Sequence, residues 1–358
     1  MQIHLENQII KEDMEDIYAR AYAWERLNGK TILITGAYGM LASYLVGFLM
    51  YLNIYKNFHI KVIAQGRNIK KAQEKFNGFW DNKSFMFTDT DLLSGIEISY
   101  NVDYIIHAAG SSNPRMYATH PIEIIEPNVI GTYHLLEFAY KHKCEGFLFF
   151  STGDIDGKVE KSNEIYEETM GIIDPLNPHS CYSESKRLAE TMCVSYWREH
   201  GLPTKIARIA HTYGPTMDLN NDPRVFADFI RAAVRGENIV LHSDGMAKRP
   251  FCYIADAVAA YLLLLLEGRS GEAYNVANSK QFVSIRQLAE ITAAIPQNRV
   301  DVIAREREAD DTYLNNDLNK DNRLLENKLL ALGFEWHYDT VCGFQRTYQY
   351  IKSIQCEE

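Results

Sequence analysis

Residues 31–42 read Thr-Ile-Leu-Ile-Thr-Gly-Ala-Tyr-Gly-Met-Leu-Ala, an apolar run of strand length that stops at a glycine and reopens as a helix. A continuous apolar strand suits the middle of a parallel sheet, where both faces are covered. A turn this tight between strand and helix needs a residue free to take unusual backbone angles, and Gly36 supplies one. Gly39 lets the backbone approach a pyrophosphate closely, and Ala42 keeps the helix tight on the sheet. The spacing predicts a phosphate site at the helix N-terminus, of the kind that holds a dinucleotide.

The same unit repeats. Apolar strands are expected at 31–35, 60–64, 85–87, 104–107, 146–151 and 204–209, alternating with helices at 41–52, 68–76, 121–142 and 180–200. Such alternation predicts an α/β fold, a Rossmann-type doubly wound parallel sheet. Helical spacing of Ile9, Ile10, Met14, Ile17, Tyr18 and Ala21 predicts a helix over 8–27, so residues 1–28 are an N-terminal helical extension. Residues 29–210 form the expected dinucleotide-binding domain. After Gly214-Pro215 the pattern changes, and 211–358 is expected to form a smaller C-terminal α/β substrate lobe. Part of 238–266 returns to the first domain in this reading.

Composition narrows the function. A net charge of -10 argues against nucleic acid as a partner. The apolar run 257–266 is too short to cross a bilayer, so no membrane partner is expected. Six cysteines stand apart at 144, 181, 193, 252, 342 and 356, with no metal-ligand spacing. Reduced thiols, no metal and a cytoplasmic location are the expectation.

Tyr182 and Lys186 are four apart on the helix over 180–200 and share one face. There an ammonium can lower a phenol's pKa toward working pH, giving a base for a sugar hydroxyl. The strand at 146–151 ends in Ser151-Thr-Gly-Asp-Ile-Asp-Gly157. Thr152 is the hydroxyl expected to share the substrate oxygen with Tyr182, with Ser151 turned inward. Asp154 is placed for proton transfer or for binding a sugar hydroxyl. Tyr182, Lys186, Thr152 and Asp154 are therefore the expected catalytic residues. An acid after the second strand would hold the ribose of NAD, but this chain has Gln65-Gly-Arg67 there. Arg67 either pairs with a 2′-phosphate, favouring NADP, or is a solvated arginine. Asp91 either contacts adenine or is a turn residue.

With the motifs Asp103-Tyr-Ile-Ile-His-Ala-Ala109, Asn128-Val-Ile-Gly-Thr132, Cys181-Tyr-Ser-Glu-Ser-Lys-Arg-Leu-Ala-Glu190, Ala207-Arg-Ile-Ala-His-Thr-Tyr-Gly-Pro215 and Lys248-Arg-Pro-Phe-Cys-Tyr-Ile-Ala-Asp256, the chain resembles the extended short-chain dehydrogenase/reductase superfamily. Within it, the likeness is to NAD-dependent nucleotide-sugar epimerases and dehydratases, with UDP-glucuronate decarboxylases the nearest in flavour. The resemblance spans 30–288. It implies NAD held at Gly36, Tyr38, Gly39, Met40, Leu92, Ala108, Ala109 and Lys186. It also implies a nucleotide sugar met by Ser111, His211, Arg224 and Arg249, a helix support in Asn128, and a homodimer built on two helices per subunit.

Departures bear on the subclass. Dehydratases of this family carry Asp-Glu after the threonine, where this chain has Gly153 and Asp154. Decarboxylases carry an arginine that grips the substrate carboxylate, and 310–316 contains none. The family's asparagine before Thr-Tyr-Gly-Pro is His211, and its tyrosine after the hydroxyl pair is Asp156. The reading is an epimerase working through a 4-keto sugar. Its rivals are a decarboxylase, a dehydratase, a 4-keto-sugar reductase, and a cofactor-binding sensor or scaffold without turnover.

Overall fold

The computed structural model describes residues 2–159, 163–305 and 321–355. The sequence segment 310–316 lies outside them. Its central sheet contains β1 (Thr31–Thr35), β2 (Lys61–Gln65), β3 (Phe85–Thr88), β4 (Tyr104–His107) and β5 (Gly146–Thr152). Strands Thr204–Ile209 and Glu272–Val276 complete it. The spatial order is Glu272–Val276, Thr204–Ile209, β5, β4, β1, β2, β3, and every pairing is parallel. Strand order reverses between β1 and β4, which opens a crevice at their carboxyl ends.

Period-two alternation sorts the side chains into two cores. Ile32, Ile34, Ile106 and Leu148 pack with helices Met40–Tyr55 and Ile254–Glu267 on one face. Leu33, Ile105, Phe147 and Phe149 meet helices Thr132–Lys141 and Ser180–His200 on the other. Beyond the sheet, Lys248–Tyr253 pairs parallel with His211–Tyr213 and antiparallel with Phe282–Ser284. Glu164–Ile165 pairs with Arg323–Leu324, and Ile239–Leu241 with Val302–Ala304. No helix among the described residues is long and apolar enough to cross a membrane.

Several expectations change. The helix over 8–27 is Gln8–Ala19, and Ala21 turns into the left-handed region (φ 52) before a short 3-10 turn, Trp24–Leu27. The helix over 121–142 is interrupted by a π turn, Pro127–Gly131, because Pro127 lacks the N–H that a regular helix needs. The seventh strand was not anticipated, nor was the helix Thr340–Gln355. That last helix packs on Gln8–Ala19. Arg346 reaches Asp13 Oδ1 at 2.6 Å, and Tyr253 donates to Asp13 Oδ2 at 2.6 Å. Tyr44 donates to the same carboxylate. Asp13 has no exposure, and burial raises its pKa to about 6 against the pull of Arg346.

Candidate active site

Helix Ser180–His200 ends on Gly201, which caps it in the left-handed region (φ 69). Tyr182, Ser185, Lys186, Ala189, Glu190 and Cys193 recur at three- and four-residue steps and form its buried stripe. Two of them fasten the helix to the end of β5. Lys186 Nζ donates to the Phe150 carbonyl at 2.7 Å, and Ser151 Oγ donates to Glu190 at 2.5 Å. Arg208, next to Ser151 in the sheet, holds both Glu190 oxygens at 3.0 and 2.8 Å. The helix therefore has one register against the sheet.

That register brings Tyr182 to Thr152, which hydrogen-bonds the phenol. Tyr117 stacks on the Tyr182 ring at 5.0 Å and 11°. Thr152 Oγ1 also accepts from the Asp154 amide at 3.2 Å and starts the short turn Gly153–Asp156. A Cβ at 153 would lie 2.5 Å from Leu324 Cδ2, so a side chain there would have to displace Leu324. Asp154 is exposed, and its charge is felt at both Tyr182 and Arg249. Asp156 is buried, neither of its oxygens has a hydrogen-bond partner among the described residues, and burial raises its pKa to about 7.

One electrostatic expectation is corrected. Burial, and then Asp154, push the Tyr182 phenol well above its ordinary range. The opposing pulls come from Thr152 and Arg224. Burial also draws Lys186 down to about 7, so near neutrality it is only partly an ammonium, and its Nζ is bonded to a carbonyl. Desolvation outweighs pair attraction when both groups lose water.

At the glycine turn, Gly36 has φ 61, and a Cβ there would lie 2.8 Å from the Ala109 Cα. Gly39 caps Met40–Tyr55 without a side-chain bond. Tyr38 covers Gly66, where a Cβ would meet its ring at 2.3 Å. Gln65 accepts from the Gly36 amide at 3.3 Å and donates to the Thr90 carbonyl at 2.6 Å, tying β2 to the turn. Ala108 and Met40 are partly buried against the core. Arg67 is exposed, and Asn68 rather than Arg67 caps the next helix. Asp91 is exposed and accepts from the Leu93 amide at 3.1 Å, as a turn residue does, while Leu92 is buried.

Beyond the sheet, Arg224 Nε bonds Asp222 at 2.8 and 3.1 Å, and its Nη2 meets the same carboxylate at 2.5 Å. Arg249 donates to the Lys248 carbonyl at 2.6 Å and feels the charges of Asp154 and Asp321. Asp321 is placed by the Lys248 amide, which donates to it at 2.8 Å. His211 lies against Phe226 and Phe251 and feels the charges of both arginines. Burial and then those charges lower it to about 3, so it stays neutral. Ser111 Oγ donates to Met116 Sδ at 3.6 Å and accepts from the Asn113 amide at 3.3 Å. Sequence reasoning missed Asp222, Asp321, Glu190 and Arg208; the i+4 spacing of Glu190 from Lys186 was its one available signal.

The profile of the NAD dependent epimerase/dehydratase family matches residues 32–277. UDP-glucuronic acid decarboxylase 6 of Arabidopsis thaliana is 33% identical over 282 residues, covering 78% of each chain. UDP-glucuronic acid decarboxylase 1 of Xenopus tropicalis is 34% identical, covering 73% of this chain and 59% of its own. In fold, UDP-glucose 4-epimerase of Thermotoga maritima superposes with TM-score 0.74 at 23% identity, over 91% of this chain and 99% of its own. UDP-N-acetylglucosamine 4-epimerase of Methanobrevibacter ruminantium gives TM-score 0.76 at 20% identity, with the same coverages. With its sheet, its glycine turn and most of its length matched in this way, the chain belongs to the NAD-dependent epimerase/dehydratase family.

Proposed function

We propose that this protein epimerises a nucleotide sugar through a 4-keto intermediate. The observation that carries this is the convergence of Tyr182, Thr152 and Asp154 at the end of β5, within reach of the charges of Arg224 and Arg249, which also act on His211. The glycine turn fits NAD. Gly36 leaves no space that a Cβ could fill, and Gly39 leaves the N-terminus of a 16-residue helix without a side-chain cap. Gly36, Gly39, Tyr38, Met40, Ala108 and Ala109 would hold it, with Leu92, Asp91 and Arg67 toward its adenosine end. NAD, when bound, supplies the acceptor for the hydride that leaves the sugar carbon.

The chain's own groups do the rest. Thr152 and Tyr182 share the reacting sugar oxygen, and Tyr182 takes its proton and later returns it. Arg224 and Thr152 oppose, without overcoming, the burial that raises the phenol's pKa. Asp154 moves a proton at a carbon beside the ketone. Ser111, Arg224, Arg249 and neutral His211 hold the nucleotide sugar. Arg249 already faces two carboxylates, Asp154 and Asp321, which disfavours a further carboxylate from substrate. That favours retention of the carbon skeleton.

Decarboxylation is the second reading, because the relatives above bear that name. Mass spectrometry of products from a panel of nucleotide sugars in heavy water separates the two. Epimerisation leaves the skeleton intact, with solvent deuterium taken up if a carbon-bound proton exchanges; loss of carbon dioxide from a UDP-uronate would overturn the epimerase reading. We also propose a homodimer through helices Thr132–Lys141 and Ser180–His200, on which Tyr133, Tyr140 and Leu188 are exposed. Sedimentation of a monomer at micromolar concentration would count against it.

A further inference from the structure

A chain of hydrogen bonds crosses the buried layer between the glycine turn and the catalytic helix. It starts at Ala109, whose backbone lies against Gly36. The Ala109 amide donates to Thr35 Oγ1 at 3.2 Å, and Thr35 Oγ1 is 2.8 Å from His107 Nδ1. On the other side of the ring, Nε2 is 3.0 Å from Thr132 Oγ1. Thr132 donates to the Asn128 carbonyl at 2.5 Å, and Asn128 Nδ2 donates to Ser185 Oγ at 3.0 Å. Ser185 stands between Tyr182 and Lys186 on their helix, and its hydroxyl donates to the Tyr182 carbonyl. Thr35, His107, Thr132, Asn128 and Ser185 are all buried.

Donor and acceptor counting gives this chain a direction. A hydroxyl has one proton, and the Asn128 carbonyl can only accept, so Thr132 sends its proton there. The Thr132 oxygen must then accept from His107 Nε2–H. The Pro127 carbonyl, on the same π turn, also hydrogen-bonds the ring. Nδ1 is left as an acceptor and takes the Thr35 hydroxyl proton, while Thr35 accepts from Ala109. Every link is satisfied by a neutral imidazole carrying its proton on Nε2. Burial, with the nearby Lys186 charge, holds the ring in that form.

His107 sits opposite Thr35 of β1 and Phe149 of β5 in the sheet register, midway between the two functional ends. Its second contact, Thr132, bonds back across the π turn, where the regular helical ladder is broken and Asn128 is placed by this bond. An apolar ring in the same slot would fill the space but leave Thr35 and Thr132 unlinked.

We infer that His107 is a positioning residue that couples the glycine turn holding NAD to the helix carrying Tyr182 and Lys186, through Thr35 on one side and Thr132–Asn128–Ser185 on the other. The inference uses the family cofactor and does not depend on which sugar reaction follows.

Thr132→Val removes the hydroxyl at constant shape, Thr132→Ser keeps it, and His107→Phe removes both ring contacts. NAD affinity of the stripped protein, read by titration calorimetry, should weaken about tenfold in Thr132→Val, as expected for one broken buried hydrogen bond. Thr132→Ser should restore it to within about twofold. His107→Phe should weaken it at least as much as Thr132→Val. Turnover should follow NAD affinity while KM for the nucleotide sugar stays unchanged. Wild-type NAD affinity in Thr132→Val overturns the coupling, and so does a Thr132→Ser protein that fails as Thr132→Val does. If His107→Phe does not fold, the valine and serine pair still decides the matter.

Discussion

Lys186 makes the fold less stable than an apolar side chain would, and replacing it with methionine should show this. The group is almost fully buried, and its pKa falls from an ordinary 10.5 to about 7. At about 1.36 kcal/mol per tenfold, burying the ammonium costs about 5 kcal/mol. The sign follows from proton counts. Below pH 7 both folded and unfolded chains carry the proton, and the full cost is present. Between pH 7 and 10.5 the folded chain binds fewer protons, so stability rises with pH and the cost is recovered. Methionine has a similar length and no charge to desolvate. It gives up the bond to the Phe150 carbonyl, which costs about 1–3 kcal/mol if the oxygen stays dry. Lys186→Met should therefore gain about 2 kcal/mol at pH 7 in urea unfolding, and its stability should be flatter than wild type between pH 7 and 10. It should also lose turnover. A variant less stable than wild type at pH 7, with the same rise toward pH 10, would refute the reasoning.

Three further outcomes are expected. Tyr182→Phe should lower turnover by at least about a hundredfold while NAD still binds, and near-normal turnover would remove Tyr182 from the chemistry. Gly36→Val should abolish NAD binding, since the residue would take φ 61 with its Cβ 2.8 Å from the Ala109 backbone; retained NAD in calorimetry would contradict the placement of the turn. Arg346→Met should destabilise the protein by about 3–5 kcal/mol by leaving Asp13 buried without its cation. Because Asp13 already sits at about 6, the loss should be larger at pH 8 than at pH 5, where the carboxyl can take up a proton. An equal loss at both pH values would show that Asp13 does not titrate there.

Legibility followed burial. The first six strands stood out as apolar runs, because a parallel sheet covered on both faces asks for them. The seventh, Glu-Ala-Tyr-Asn-Val, hid because its polar Asn275 is buried and donates to the Ile165 and Leu325 carbonyls, contacts that no local pattern reveals. Pro127 could have marked the break in the helix over 121–142, but a π turn forms only because neighbouring groups supply the missing bonds. Thr152, Tyr182 and Lys186 were readable as residue types at spacings that suit one site. Their protonation was not, since it turns on the loss of water. Asp222 and Asp321 beside the arginines were likewise out of reach, because lobe geometry sets those pairings.

The clasp between Asp13 and Arg346 carries a consequence for synthesis. The two residues are 333 positions apart. Asn7 and Gln2 reach equally far, to Ser353 and Tyr350. A ribosome releases Gln8–Ala19 long before Arg346, which neutralises Asp13, exists. Until then the buried Asp13 carboxylate has no cation, although Met14 can pack early against Gly47 and helix Ile254–Glu267 covers the same face later. The nascent chain thus carries a carboxylate in waiting, and a factor that shelters early helices would find it unmatched for nearly the whole of translation.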